Sequence, residues 1–238
     1  MIDKLPLDTD NRTMTAAEIA RRTDYTLLAP EALPSEIHKA AADAMQNSCA
    51  AACVAPVWIG RVATMLRGSG TRVCTVVGFP HGANKSTVKA IEATSSIKDG
   101  ADEIDVVAHL PNLVRCNVDD TRAELLEIAR AARTTRRDVV IKVIVESALL
   151  MRNVSADEAE ARIAASCRAV RESGCDFIKT STGFHSAGGA SVQAVQLMKK
   201  HGEALQIKAA GGIRDISTAQ AMIDAGAERL GMSKMIWL

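Results

Sequence analysis

Eight short apolar runs recur along this chain, and between successive runs lies a segment long enough for a helix. The runs fall near Tyr25–Ala29, Ala51–Ala55, Val73–Val77, Glu103–Ala108, Val139–Val145, Asp176–Thr180, Gln206–Ala209 and Ala227–Gly231. Strand alternating with helix argues for parallel strands joined by right-handed crossovers. Unbroken apolar strands such as VVIKVIV, residues 139–145, suit a sheet covered on both faces. Eight parallel strands close on themselves, so the pattern predicts an α/β fold of the (β/α)8 TIM-barrel type. In that fold the site lies at the C-terminal ends of the strands, and phosphate is often held by the loops after strands 7 and 8. An open doubly wound sheet is the alternative; no GxGxxG follows an early strand, which weighs against it. The intervening segments carry helix signals. Ser155 is a cap with Glu158 three residues on, and Ile163, Cys167 and Val170 then share one face. Thr15 and Glu18 repeat that capping box and predict a short N-terminal helical extension, with residues 1–14 a loose arm.

At 238 residues and 47% apolar composition, one barrel domain spanning residues 1–238 is expected. Lys plus Arg is 29 against Asp plus Glu at 28, and the net charge of +1 excludes the strongly basic surface of a nucleic-acid or membrane-surface binder. The longest apolar run, Cys49–Ile59, contains a proline and is well short of the roughly 18 residues a membrane helix needs. Asp3, Lys4, Asp8 and Asp10 interrupt any signal-peptide core, so a cytoplasmic protein is expected. Six cysteines form no CxxC pair, and no histidine stands at metal-ligand spacing; they read as reduced, mostly buried thiols.

Two of the eight runs end on a lysine. In FIKTSTG, residues 177–183, Lys179 closes strand 6 and opens into small hydroxyl residues and glycine. A strand-end amine beside Phe177 and Ile178 is partly desolvated, which favours its neutral form and makes it a candidate Schiff-base nucleophile. In LQIKAAGGIR, residues 205–214, Lys208 ends strand 7 ahead of Gly211 and Gly212 and a helix starting near Asp215. Neighbouring ammonium groups raise the cost of charging one another, so one of the pair is expected to be neutral near pH 7. The glycines let the backbone approach an anion, and the helix start favours negative charge, so a phosphate is expected there. Glu103 and Asp105 share one face of strand 4 by the period of two; a carboxylate aimed into the barrel needs a cation, and Asp105 near the lysines is a proton-relay candidate. Lys142 within strand 5 and Glu146 at its end read as a further buried pair. Asp24 and Thr26 share a face of strand 1, with Asp24 a barrel-mouth acceptor; Cys53 reads as a small core residue, and His81 follows strand 3.

Taken together, DYTLL, VVGFPHGANK, ADEIDVV, IKVIVES, FIKTSTGF and KAAGGIR resemble the deoxyribose-phosphate aldolase family over nearly the whole chain. The resemblance implies a class I aldolase of (β/α)8 fold that reversibly cleaves 2-deoxy-D-ribose 5-phosphate to glyceraldehyde 3-phosphate and acetaldehyde. Its partners are small phosphosugar and aldehyde substrates, and it needs no cofactor or metal beyond the covalent imine. By that similarity Lys179 is the Schiff-base lysine, Lys208 the neighbour that depresses its pKa, and Asp105 a member of the relay. Gly183, Gly211, Gly212, Arg214, Gly231 and Ser233 fall around the phosphate, and Asp24, Thr26, Cys53, Lys142 and Thr180 support the site. The last loop, GMSKM, departs from the family: Met232 is bulky, and Lys234 stands where a second hydroxyl is common. Lys234 could meet phosphate as a point charge or signal a changed tail group. His109 after strand 4 is a second departure. The same imine chemistry on another aldol substrate, and a non-catalytic phosphosugar-binding barrel, are the alternatives; a homo-oligomer is left as an open expectation.

Overall fold

A computed structural model of the chain describes residues 13–236. In it eight parallel strands close into a barrel in sequence order. They are β1 (Thr23–Leu27), β2 (Ala51–Val54), β3 (Arg72–Val77), β4 (Glu103–Val107), β5 (Val140–Ile144), β6 (Phe177–Lys179), β7 (Gln206–Ala210) and β8 (Arg229–Met232). The barrel shuts where Asp24 of β1 pairs with Gly231 of β8. Every strand run expected from the sequence is a strand here, to within two residues at its ends. Lys208 is the one positional correction: β7 continues to Ala210, so this lysine sits inside the strand, one level deeper than a strand end.

Helices cover the outside. They are α1 (Ala16–Ala20) ahead of β1, then α2 (Pro34–Gln46), α3 (Ile59–Leu66), α4 (Ser86–Lys98), α5 (Leu110–Val114), α6 (Val118–Thr135), α7 (Ser147–Leu150), α8 (Ala156–Glu172), α9 (Val192–Gly202) and α10 (Ile216–Asp224). The expected caps are present: Thr15 and Glu18 form the reciprocal box at α1, and the Ser155 hydroxyl accepts the Glu158 N–H at α8. Residues 1–12 of the expected arm lie outside the described residues. Its last residue, Met14, donates its N–H to Gln220 Oε1 of α10 at 2.8 Å. Among the described residues no helix is long and apolar enough to cross a membrane.

The period of two divides each strand between two environments. Outward residues such as Ile104, Val106, Ile141, Val143, Ile178, Ile207 and Leu230 meet the helices in one continuous apolar core. The inward positions break the pattern of a barrel filled by branched apolar side chains. A small apolar group of Ala51, Cys53, Cys74 and Val76 occupies one sector, and beside it the ionic side chains Asp24, Glu103, Asp105, Lys142, Lys179 and Lys208 are all buried.

A fourth buried lysine lies outside the barrel. Lys89 of α4 is wholly covered, donates to the carbonyls of Gly82 and Val107 at 2.7 Å each, and pairs with Glu124 of α6 at 2.5 Å. It thereby ties the loop after β3 and the end of β4 to two helices. Lys89→Met is expected to destabilise the fold by about 3–5 kcal/mol, because it strands the Glu124 charge and two carbonyls. Urea denaturation checks this, and a loss below about 1 kcal/mol would contradict it.

Candidate active site

The chemistry gathers at the upper half of the barrel interior because β4, β5, β6 and β7 are consecutive neighbours in it. Their registers set Asp105 beside Lys142, and Lys179 beside Lys208. Asp105 Oδ2 accepts from Lys179 Nζ at 2.7 Å and from Lys208 Nζ at 2.6 Å, while its Oδ1 accepts from Lys142 Nζ at 2.9 Å. The two legs on one oxygen cap the Lys179–Lys208 nitrogen separation at about 5.3 Å. The two amines are therefore close, as expected, and a carboxylate oxygen lies between them.

That oxygen changes the electrostatics. Burial pushes the Lys208 ammonium toward neutrality, but Asp105 and Asp24 outweigh it, and its pKa ends above the ordinary lysine value. The Asp105 carboxyl shows the mirror effect: burial would raise it, and Lys142, Lys179 and Lys208 hold it well below the carboxylate range. Lys208 is thus anchored as an ammonium.

Asp24 was expected at the barrel mouth and lies instead in the interior, fully buried. It accepts from Lys208 Nζ through Oδ2 and from Arg229 Nη1 through Oδ1 at 2.5 Å. Burial raises its pKa, yet Lys208, Lys142 and Arg229 bring it below the ordinary value. The expected Lys142–Glu146 pair does not form. Lys142 Nζ meets Glu103 at 2.6 Å, Asp105 at 2.9 Å and Asp24 at 3.4 Å, whereas Glu146 bonds the Thr182 N–H at 2.7 Å. The reason is direction: Lys142 is an inward residue of β5, and Glu146 lies beyond the strand, at a positive φ of 51°.

Arg229 and Cys74 were not anticipated as members of the cluster. Arg229 bridges Asp24 and Glu103, contacting Glu103 Oε2 at 3.1 Å, and it stands two residues before Gly231, a spacing that already marked it as inward. Burial, the Cys53 contact and the Asp105 charge push the Cys74 thiol well above its usual value; it donates to Asp105 Oδ1 at 3.4 Å. Cys53, Cys74 and Asp105 have ligand atoms within 4.8 Å of one another. Asp105 is already held there by three lysine nitrogens, which any metal cation would have to displace.

Above the cluster opens a cavity of about 420 Å³. Lys179, Gly183, Gly211, Gly212, Arg214, Gly231, Ser233 and Thr26 line it. Lys208, Asp105, Lys142, Asp24 and Cys53 lie beneath rather than on its wall, and Thr180 uses its hydroxyl to clamp β6 to β7, donating to the Ala210 carbonyl at 3.0 Å and accepting the Ala210 N–H at 2.9 Å. Lys234, His81 and His109 are off the wall, with Lys234 and His81 exposed. Met232 is buried in the helix-facing core at 1% exposure and also borders the cavity. Asp215 caps the helix start expected to attract phosphate, accepting the Thr218 N–H at 2.7 Å. Gly211 stands in the loop ahead of it. Its φ is +92°, and a Cβ there would land 2.5 Å from Ser181 Oγ.

These shifts dictate the pH response of the fold. Asp24 and Asp105 have folded values below the unfolded carboxylate value of about 3.9, so their contribution is complete above that pH and is lost as pH falls through the folded values. Lys208 has a raised value, so its contribution is complete below about pH 10.4 and is lost only as pH rises through the folded value. Asp24→Asn is expected to destabilise the protein by about 3–5 kcal/mol at pH 7 and to flatten the acid limb of stability below about pH 4. An unchanged acid limb in urea titrations would contradict this assignment.

The family model for DeoC/LacD family aldolases matches residues 7–234. A deoxyribose-phosphate aldolase of Kocuria rhizophila is 44% identical over 221 residues, covering 92% of this chain and 94% of the relative. One of Caldanaerobacter subterraneus subsp. tengcongensis is 41% identical over 216 residues, covering 90% and 89%. Among solved structures, the tetrameric deoxyribose phosphate aldolase of Aeropyrum pernix superposes with a TM-score of 0.82 at 28% identity, covering 93% of this chain and 89% of its own. Sequence match, barrel and lysine cluster agree, and the chain belongs to the DeoC/LacD family of aldolases.

Proposed function

We propose that this chain is a class I aldolase that reversibly cleaves 2-deoxy-D-ribose 5-phosphate to D-glyceraldehyde 3-phosphate and acetaldehyde through an imine on Lys179. The observation that carries the reading is the single Asp105 oxygen bridging Lys179 and Lys208 beneath the cavity. Setting aside half-exposed Arg72, the cluster opposes three carboxylates (Asp24, Glu103, Asp105) to four cations (Lys142, Lys179, Lys208, Arg229). One uncharged amine balances it. Lys179 has one carboxylate partner and a face on the cavity, and we assign that role to it.

The neutral amine adds to the C1 aldehyde, and loss of water gives an iminium. The C2–C3 bond then breaks, its electron pair flows into the iminium to form an enamine, and the C3 hydroxyl proton departs as C3 becomes the aldehyde of glyceraldehyde 3-phosphate. Protonation of C2 and hydrolysis release acetaldehyde and restore the amine. Asp105 touches both nitrogens through one oxygen, so with Lys208 and water it offers a short route for these protons. Asp24 and Lys142 hold Lys208 and Asp105 in place, Thr180 fixes the strand spacing, and Thr26 and Cys53 shape the floor.

The phosphate is assigned to Gly183, Gly211, Gly212, Arg214, Gly231 and Ser233, with Lys234 an outlying charge at the rim. Held far from the breaking bond, it orients the substrate. The proposal includes one domain, independence from cofactor and metal, a cytoplasmic setting and a homo-oligomer; the tetramer of the Aeropyrum relative supports the last.

Borohydride with acetaldehyde is expected to label Lys179, read by peptide mass mapping. Lys179→Ala is expected to lose both the label and measurable cleavage of deoxyribose 5-phosphate. Adduct on another peptide, or retained turnover in the variant, would contradict the assignment.

A further inference from the structure

Glu146 is wholly buried yet takes no part in the ionic cluster. Its backbone occupies the left-handed region, with φ 51° and ψ 59°, where glycine is the comfortable residue. One carboxylate oxygen accepts the Thr182 N–H at 2.7 Å; the other finds no donor among the described residues. A strained backbone and a buried carboxylate with a single hydrogen bond both disfavour the fold. What they accomplish together lies in the loop after β6.

That loop runs from Lys179 to Gly183, and both of its ends line the cavity. Its start is fixed by the sheet: Val145 N–H donates to the Lys179 carbonyl at 3.1 Å, and Ser147 N–H to the Thr180 carbonyl at 2.7 Å. Ser181 Oγ donates to the Ala210 carbonyl at 2.6 Å. Beyond this the loop has left the strand. The Thr182 amide is held by Glu146, and the Thr182 hydroxyl accepts the Phe184 N–H at 3.0 Å, so the carboxylate sets the segment that bears Gly183.

We propose that Glu146 is a positioning residue that sets the distance between the Lys179 amine and the Gly183 side of the cavity, and so governs substrates that must touch both. This rests on the imine and phosphate assignments above. The consequence is selective. Acetaldehyde engages Lys179 alone and is indifferent to Glu146, whereas deoxyribose 5-phosphate spans the two ends and is not; misplacement by about 1 Å can cost on the order of 10²-fold in rate.

Three proteins test this: wild type, Glu146→Gln, which keeps an acceptor for Thr182, and Glu146→Gly, which relieves the backbone and removes the acceptor. For Glu146→Gly the expected results are an unchanged or higher thermal midpoint and unchanged borohydride trapping of acetaldehyde. Its kcat/KM for deoxyribose 5-phosphate falls by on the order of 10²-fold, and hydrogen exchange quickens at the Thr182 amide. Glu146→Gln is expected to follow wild type in all four. Equal losses for aldehyde and phosphosugar, undiminished phosphosugar cleavage in Glu146→Gly, or a Glu146→Gln as impaired as Glu146→Gly would overturn the proposal. Should wild type trap no aldehyde at Lys179, the function proposed above fails, and the exchange rate at Thr182 still decides whether Glu146 holds the loop.

Discussion

One carboxylate oxygen, Asp105 Oδ2, receives two lysines, and much of the barrel interior is arranged to make that tolerable. Two ammonium groups within about 5.3 Å of each other in a buried site would repel strongly without it. A carboxylate buried among apolar strands would in turn take up a proton without them. Asp24, Glu103, Lys142 and Arg229 extend the solution downward, each charge meeting at least two of opposite sign. The ionic part of the interior is therefore continuous, and removing one of these four charges weakens the compensation of its buried partners.

This arrangement revises the simplest account of how a strand-end lysine becomes a nucleophile. Repulsion between two neighbouring amines would predict that either one sheds its proton. The second carboxylate, Asp24, breaks the symmetry by engaging Lys208 and leaving Lys179 with Asp105 alone. Depth reinforces the difference. Lys208 lies inside β7 beneath the cavity, and Lys179, at the end of β6, borders it. The deeper amine is fixed between two carboxylates, and the shallower one faces the cavity, where the proposed imine would form.

The barrel was legible in the sequence because its eight strands announce themselves as separate apolar runs, and period two then sorts Glu103 and Asp105 from Ile104 and Val106. Lys179, Lys208 and Asp105 followed from strand ends and spacing. The partner of Lys142 did not: Glu146 is nearer in sequence, but Glu103 and Asp105 reach Lys142 from the paired strand β4 and Asp24 from across the closed barrel, long-range facts no local window contains. Arg229 was hidden for a related reason, since its role depends on β8 returning to β1.

The central claim is that Asp105 and Lys208 act on Lys179 as a unit, and a double-mutant cycle tests it most directly. The rate of imine formation with acetaldehyde would be measured in wild type, Asp105→Asn, Lys208→Met and the double variant. A coupling energy of about 0.5–3 kcal/mol is predicted, as for groups sharing one hydrogen-bonded network. Effects that add to within about 0.3 kcal/mol would mean that the two residues act independently, and the shared oxygen would lose its place in the account.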